Sequence, residues 1–306
     1  MKNTDKLIAT YFYICQCYFT DLIFHCQRMS NNYHPKLTDQ EVITIFLYCL
    51  IVEKKREIKD IYDFADNYLR PWFPDLVDSY EGFLMRLNNL HGVFPVLCQL
   101  IVKDKMSITN PEKVRMYEGL IASVVDSMPI ILAKGPRSFG AKIAPNLCDK
   151  GYCASKKLHY YGLKLHVMGF SFFDKLPLPE FIGSTPASNN DLTVFKPIWE
   201  KTYDRAIFAD KIYANKSFEE WLMKNNNLQI LTPIKKKKGQ EKLKFIDKMY
   251  SRAVSQVRQP IEAFFNWIIE KVGIQNASKA RSENGLLVHI YGRFAAALMI
   301  MTFDLF

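Results

Sequence analysis

The apolar residues of this 306-residue chain change their period at Pro111, and that change restricts the fold more than any other feature. Up to residue 112 they recur three and four apart, the spacing of one face of a helix. Beyond it, short runs of strand character alternate with helical stretches. Residues 121–126 (IASVVD) form a β-rich run. Residues 159–169 (HYYGLKLHVMG) alternate, with Tyr161, Leu163, Leu165 and Val167 on one face and Tyr160, Gly162, Lys164 and His166 on the other. Residues 179–185, 206–209 and 228–233 supply three more strands. Asn190 or Asp191 caps a helix running to about residue 201, residues 217–224 form another, and a long helical zone covers 247–271 and then 286–306. Residues 135–157, rich in Gly, Lys and Pro, read as a loop. Three consecutive strands followed by alternating helices and strands predict an α/β domain over 113–306, a mixed sheet flanked by helices, preceded by an all-helical region over 1–112.

Within the helical region, Thr38 with Glu41 three residues on is a capping box, and Ile43, Phe46, Leu47 and Leu50 follow at helical spacing. Further helices are expected over 57–68, 79–90 and 93–102. Residues 7–24 are apolar behind Lys2 and Lys6, as a leader would be, but Gln16 and Asp21 interrupt them and no small-residue cleavage site follows. The run is also too broken for a membrane span, and a buried amphipathic helix is expected. Residues 41–52, and 285–306 with its His289 and Arg293, likewise read as packed helices, so no membrane partner is expected. The seven cysteines include no CxxC pair, which argues against a disulfide framework and fits a reducing cytoplasm. Cys148, Cys153 and His159 match no common zinc spacing. A hydrophobic content of 49% with 24% charged residues excludes a disordered chain, and a net charge of +10 directs attention to a polyanionic partner.

Three acids stand out by their setting. Asp126 ends the first strand, Asp210 ends the strand 206–209, and Glu262 lies inside the apolar helical stretch 261–269, where it is expected to face the sheet. Acids at strand ends lie where α/β sheets carry their sites. Clustered carboxylates repel one another unless cations lie between them, and Mg²⁺ takes such oxygen ligands while keeping positions open for phosphate. The pattern therefore fits two-metal phosphoryl transfer. Each acid alone is as well explained by a turn or a helix cap. Lys164 and His166 on the polar strand face, Lys211 and Tyr213 after Asp210, and Arg258 one turn before Glu262 are candidate phosphate contacts. Asp191 reads as a helix cap rather than a fourth ligand, and the basic block 235–238 as a solvated loop that can grip phosphate.

The segments VVDSMP (124–129), YGLKLH (161–166), FADKIYAN (208–215), VRQPIEAFFNWI (257–268) and ASKARSENGLLVHIYGRFAAA (277–297) together resemble DDE transposases of bacterial insertion sequences, the insertion-sequence 982 family in particular. The resemblance implies a ribonuclease H-like fold with Asp126, Asp210 and Glu262 as catalytic, metal-holding residues. It implies Mg²⁺ as cofactor, with Mn²⁺ tolerated, and DNA as partner, both terminal inverted repeats and target. It further implies a homodimeric synaptic complex, a DNA-binding N-terminal region, and a bacterial, nucleoid-associated location. Only 52 residues separate Asp210 from Glu262, which leaves no room for a large inserted domain. The family pattern has Tyr three residues before the Arg where this chain has Ser255, and the nearest downstream lysine is Lys271. A ribonuclease H-like nuclease that cuts without joining, or a non-catalytic DNA-binding descendant, remains an alternative reading.

Overall fold

The computed structural model describes residues 2–26, 35–109, 111–154, 156–173, 175–236 and 239–303. They form two compact units, Met1–Ser107 with Ile268–Phe306, and Ile108–Trp267. Lys237 and Lys238 of the basic block lie outside the described residues.

The first unit opens with α1 (Asn3–Thr20), which buries Leu7, Thr10, Ile14 and Cys17, three or four apart. Helix α2 (Asp39–Ile51) starts at the capping box read from the sequence: the Glu41 amide donates to Thr38 Oγ1 at 3.3 Å, and the Thr38 amide donates to Glu41 Oε2 at 2.6 Å. From Val42 to Ile51 it is buried all round, as a helix without a polar face must be, and α1 packs along it. Helix α3 (Ile58–Phe64) runs into a π turn (Ala65–Leu69), followed by α4 (Tyr80–Asn89) and α5 (Val93–Ser107). A buried ion pair links α2 to α4, with Arg86 Nη2 donating to Asp39 Oδ1 at 2.9 Å and the Tyr18 hydroxyl donating to Asp39 Oδ2 at 3.1 Å.

The second unit is built on β1 (Met116–Tyr117), β2 (Leu120–Lys134), α6 (Arg137–Gly140), β3 (Asp149–Cys153), β4 (Leu158–Phe170), β5 (Leu178–Pro186), α7 (Asp191–Trp199), β6 (Arg205–Phe208), α8 (Lys216–Asn226), β7 (Leu228–Leu231) and α9 (Phe245–Val272). Strands β3 and β5 both pair with β4, β4 pairs antiparallel with β2, and β2, β6 and β7 run parallel. The first three long strands are antiparallel and the last two join in parallel through helices, which is the ribonuclease H-like arrangement. One core packs under the sheet around Phe195, Trp199, Tyr213, Val125 and Ile207, with the Phe195 and Trp199 rings stacked at 5.6 Å.

Two elements differ from the sequence reading. Strand β2 does not end at Asp126; its ladder with β4 carries it on to Lys134. Pairing with β6 stops at Val124, so beyond it that edge of β2 is unladdered and Pro129 is accommodated. The expected loop 135–157 contains α6 and the edge strand β3, whose sequence DKGYC carries no apolar alternation. Helix α9 covers the helical zone expected over 247–271 and runs through Pro260, whose missing N–H leaves the Gln256 carbonyl without its helical donor.

Gly162 marks a close approach. A Cβ placed there would lie 2.1 Å from the Ile130 carbonyl oxygen, where the register of β2 slips between Ile131 and Ala133. The obstacle is backbone, so it cannot rotate away. Gly162→Ala is expected to destabilise the chain by about 3 kcal/mol or more, read as a lower urea midpoint at unchanged slope. An unaltered midpoint would show that the strands part freely at this point.

The chain completes the first unit with α10 (Glu283–Leu287), a π turn (Val288–Gly292) and α11 (Arg293–Thr302). Helix α11 packs on α2 and α5. Residues Glu283–Thr302 are long and apolar enough to cross a membrane by length and composition, but most of them are buried within the unit, as the core helix of a globular domain is.

Candidate active site

The parallel register of β2 and β6 brings the first two acids together. Ile121 stands opposite Arg205 and Val124 opposite Phe208. Two residues further on each strand come Asp126 and Asp210, and the chain stays extended there, with the Ala209 amide donating to the Leu231 carbonyl at 3.0 Å. Each aspartate fixes one oxygen on the following amide: Ser127 N donates to Asp126 Oδ1 at 2.8 Å, and Lys211 N donates to Asp210 Oδ1 at 2.7 Å. The other Asp126 oxygen accepts from Arg258 Nη1 at 2.9 Å, and Arg258 Nη2 donates to Glu262 Oε1. Arg258 and Glu262 lie one turn apart on α9, so one guanidinium forks between a strand carboxylate and a helix carboxylate. Glu262 does not face the sheet as expected. Its side chain is 52% exposed, whereas those of Asp126 and Arg258 are 20% and 15% exposed.

Burial pushes the Asp126 carboxyl up from 3.8 to about 6; Arg258 and the Ser127 amide pull the other way, and the charges of Asp210 and Glu262 add to the rise. Burial works against the Arg258 charge, yet the carboxylates of Asp126 and Glu262 hold its pKa above the usual value. The site thus concentrates negative charge in a partly dry place, with one guanidinium offsetting two carboxylates.

Behind β2 lies a polar network. Ser127 Oγ donates to Asp191 Oδ2 at 3.0 Å, and Lys164 Nζ donates to Asp191 Oδ1 and to the Asn189 carbonyl, both at 2.8 Å. The residue that caps α7 is Asn190, whose Oδ1 accepts from the Leu192 amide at 3.0 Å. His166 is fully buried, with Nε2 at 2.8 Å from Thr185 Oγ1, and burial pulls its pKa down to about 4. Tyr213 is fully buried between Phe195 and Trp199, at ring distances of 5.8 and 6.0 Å. Of the basic and aromatic residues expected to face phosphate, Lys211 is exposed, Arg258 is held by carboxylates, and Lys164, His166 and Tyr213 point inward. The strand alternation placed Lys164 and His166 on one face correctly; it could not show that α7 packs on that face. The anchoring of Ser127 by Asp191 was not legible either, because 64 residues separate the two.

The donor set fits a divalent cation in its chemistry: hard carboxylate oxygens, with the proton affinity of the Asp126 carboxyl raised by burial and, to a smaller extent, by neighbouring negative charge. Among the described residues no three His, Cys, Asp or Glu side chains are gathered closely enough to hold a metal ion, and Arg258 lies between Asp126 and Glu262.

A ribonuclease H-like sheet whose parallel β2–β6 register brings Asp126, within β2, beside Asp210, just past the end of β6, defines the class. The model of the transposase DDE domain matches residues 120–299, and the chain belongs to that family. Its members act on DNA and generally use divalent metal ions. No curated protein and no solved structure matches the chain.

Proposed function

We propose that the chain is an insertion-element transposase of the insertion-sequence 982 type that cleaves DNA at the element's ends and joins the freed 3′-hydroxyl to target DNA. The observation that carries this reading is the register that sets Asp126 beside Asp210, with Glu262 tied to Asp126 through Arg258. Asp126, Asp210 and Glu262 would hold the metal, with Mg²⁺ as the natural ion and Mn²⁺ tolerated. Divalent ions, when bound, activate the attacking oxygen and stabilise the leaving one. In the first step a water oxygen bonds to the scissile phosphorus and the bond to the 3′ oxygen breaks, leaving a 3′-hydroxyl. In the second step that hydroxyl attacks a target phosphodiester and displaces its 3′ oxygen. Arg258, freed from one carboxylate, is placed to meet the developing charge on phosphate, and exposed Lys211 to hold the backbone. Lys164 and Tyr213 support the strand end from behind. The N-terminal region, residues 1–112, would bind the terminal inverted repeats in a homodimeric synaptic complex in the bacterial cytoplasm.

The test is an end-cleavage and strand-transfer assay with purified protein, DNA carrying the element's flanking repeats, and Mg²⁺ or EDTA. Metal-dependent nicks at the ends together with joined products are expected. Cutting without joining would make the chain a nuclease, and binding without cutting in either Mg²⁺ or Mn²⁺ would make it a DNA-binding descendant.

A further inference from the structure

The helical unit holds a cavity of about 440 Å³ that the carboxylate chemistry does not use. Five cations line it: Arg56 and Lys59 at the start of α3, and Lys279, Arg281 and Arg293 from the C-terminal segment. Glu57 and Asp60 are its acidic lining residues, so the wall carries an excess of three positive charges. Among the described residues none of the five cations forms an ion pair. The three arginines donate to backbone carbonyls instead. Arg56 donates to Glu270 O, Arg293 donates to Val272 O and Arg56 O, and Arg281 Nη1 donates to Ser278 O at 2.7 Å and Ala280 O at 3.2 Å. Carbonyls orient a guanidinium and leave its net charge intact. Arg293 is only 7% exposed, and burial pulls its pKa down to about 10. The Glu57 charge works the other way and that of Arg56 adds to the fall, so the one nearby carboxylate does not offset the burial and the second guanidinium, and a further anion would. Gly273 lets the two guanidiniums come close: it holds φ +65°, and a Cβ on it would lie 3.2 Å from Arg56 Cδ and 3.4 Å from Arg293 Nη1.

We propose that this cavity binds a phosphate group of the DNA backbone, a contact made by the helical unit on its own and independent of the three carboxylates. A phosphate supplies the missing negative charge, and its oxygens are acceptors for donors already fixed in a fork. Lys59, Lys279 and Arg281 are exposed, so the site opens to a long polyanion, and the net charge of +10 and membership of a DNA-acting family select DNA as its source. The same chemistry would accept free phosphate, and the experiment separates the two.

Affinity of the full-length chain for a duplex carrying an element end is measured by fluorescence anisotropy over a series of salt concentrations. The double variant Lys279→Ala, Arg281→Ala is expected to bind at least about tenfold more weakly, with the slope of log K against log salt reduced by about 1, the signature of one lost phosphate contact. Lys59→Ala, on the opposite wall, should shift the slope in the same direction, which guards against local damage around residue 280. Unchanged slopes in both variants would overturn the proposal. So would saturable binding of inorganic phosphate that both variants lose while their DNA affinity stays as before. Because the readout is binding by the helical unit, a failure of the carboxylate reading would show in cleavage and not in these slopes.

Discussion

Asparagine in place of Asp126 is expected to stop DNA cleavage and, in the same protein, to raise heat stability at neutral pH. The first effect follows from the loss of a buried anionic ligand between Asp210 and Arg258. The rate should fall by on the order of 10³-fold, about 4 kcal/mol of barrier, as it should for Asp210→Asn and Glu262→Gln, with DNA affinity retained. The second effect follows from the raised pKa. The folded carboxyl holds its proton up to about pH 6, the free one only to 3.8. Below pH 3.8 both forms are neutral and the substitution makes no difference on this account. Between 3.8 and 6 the folded state is progressively penalised for ionising the group, and above 6 the penalty levels off. At about 1.4 kcal/mol per pKa unit it reaches at most about 3 kcal/mol. In EDTA at pH 7.5 the Asn variant should therefore melt several degrees above the wild type, with the gap closing toward pH 4. A variant that melts lower at pH 7.5, or that still cleaves, would remove Asp126 from the role assigned to it.

In the helical unit the largest single loss is expected from Arg86→Ala. Its partner Asp39 sits in the first turn of α2 with its side chain 3% exposed, and Arg86 is 9% exposed. Truncating the arginine takes the guanidinium away from a carboxylate in a dry place, to which the Tyr18 hydroxyl also donates. Breaking a buried pair in this way costs about 3–5 kcal/mol. The full loss should appear as a lower urea midpoint for Arg86→Ala, whereas Asp39→Asn combined with Arg86→Met should recover much of it, because neither remaining group is then charged. If the single variant lost less than about 1 kcal/mol, the pair would be solvated in solution and the interior of the unit looser than its packing implies.

The architecture was legible where one element carries its own signal. Alternation over 159–169 located β4, the Thr38–Glu41 box located the start of α2, and the order of strands and helices implied the mixed sheet. The apolar runs that precede Asp126 and Asp210 singled them out before their register was known, although only Asp210 lies at a strand end. What could not be read was anything decided by a neighbour distant in sequence. Strand β2 runs past Asp126 because β4 pairs with it. The edge strand β3 exists because β4 offers an open edge. Lys164 and His166 lie on a polar face by alternation, yet α7 packs on that face and β5 lies alongside, so the polarity serves Asp191 and Thr185 rather than solvent. Glu262 sits among apolar residues of a helix, and one turn of rotation decides whether such a residue meets the sheet or water.

The helical unit is assembled from the two ends of the chain, with the 160 residues 108–267 emerging from the ribosome between them. Its central helix α2 and its neighbour α5 are synthesised early, but α11, which covers both, arrives last. For most of translation their apolar surface has no partner, and the contacts that close the unit span nearly the whole sequence, the kind that form slowly. Completion of the helical body therefore waits for the residues beyond Ile268. A product cut short before Ile268 can carry Asp126, Asp210 and Glu262, the residues proposed to cut, and still lack a finished first unit and the cavity proposed to hold phosphate.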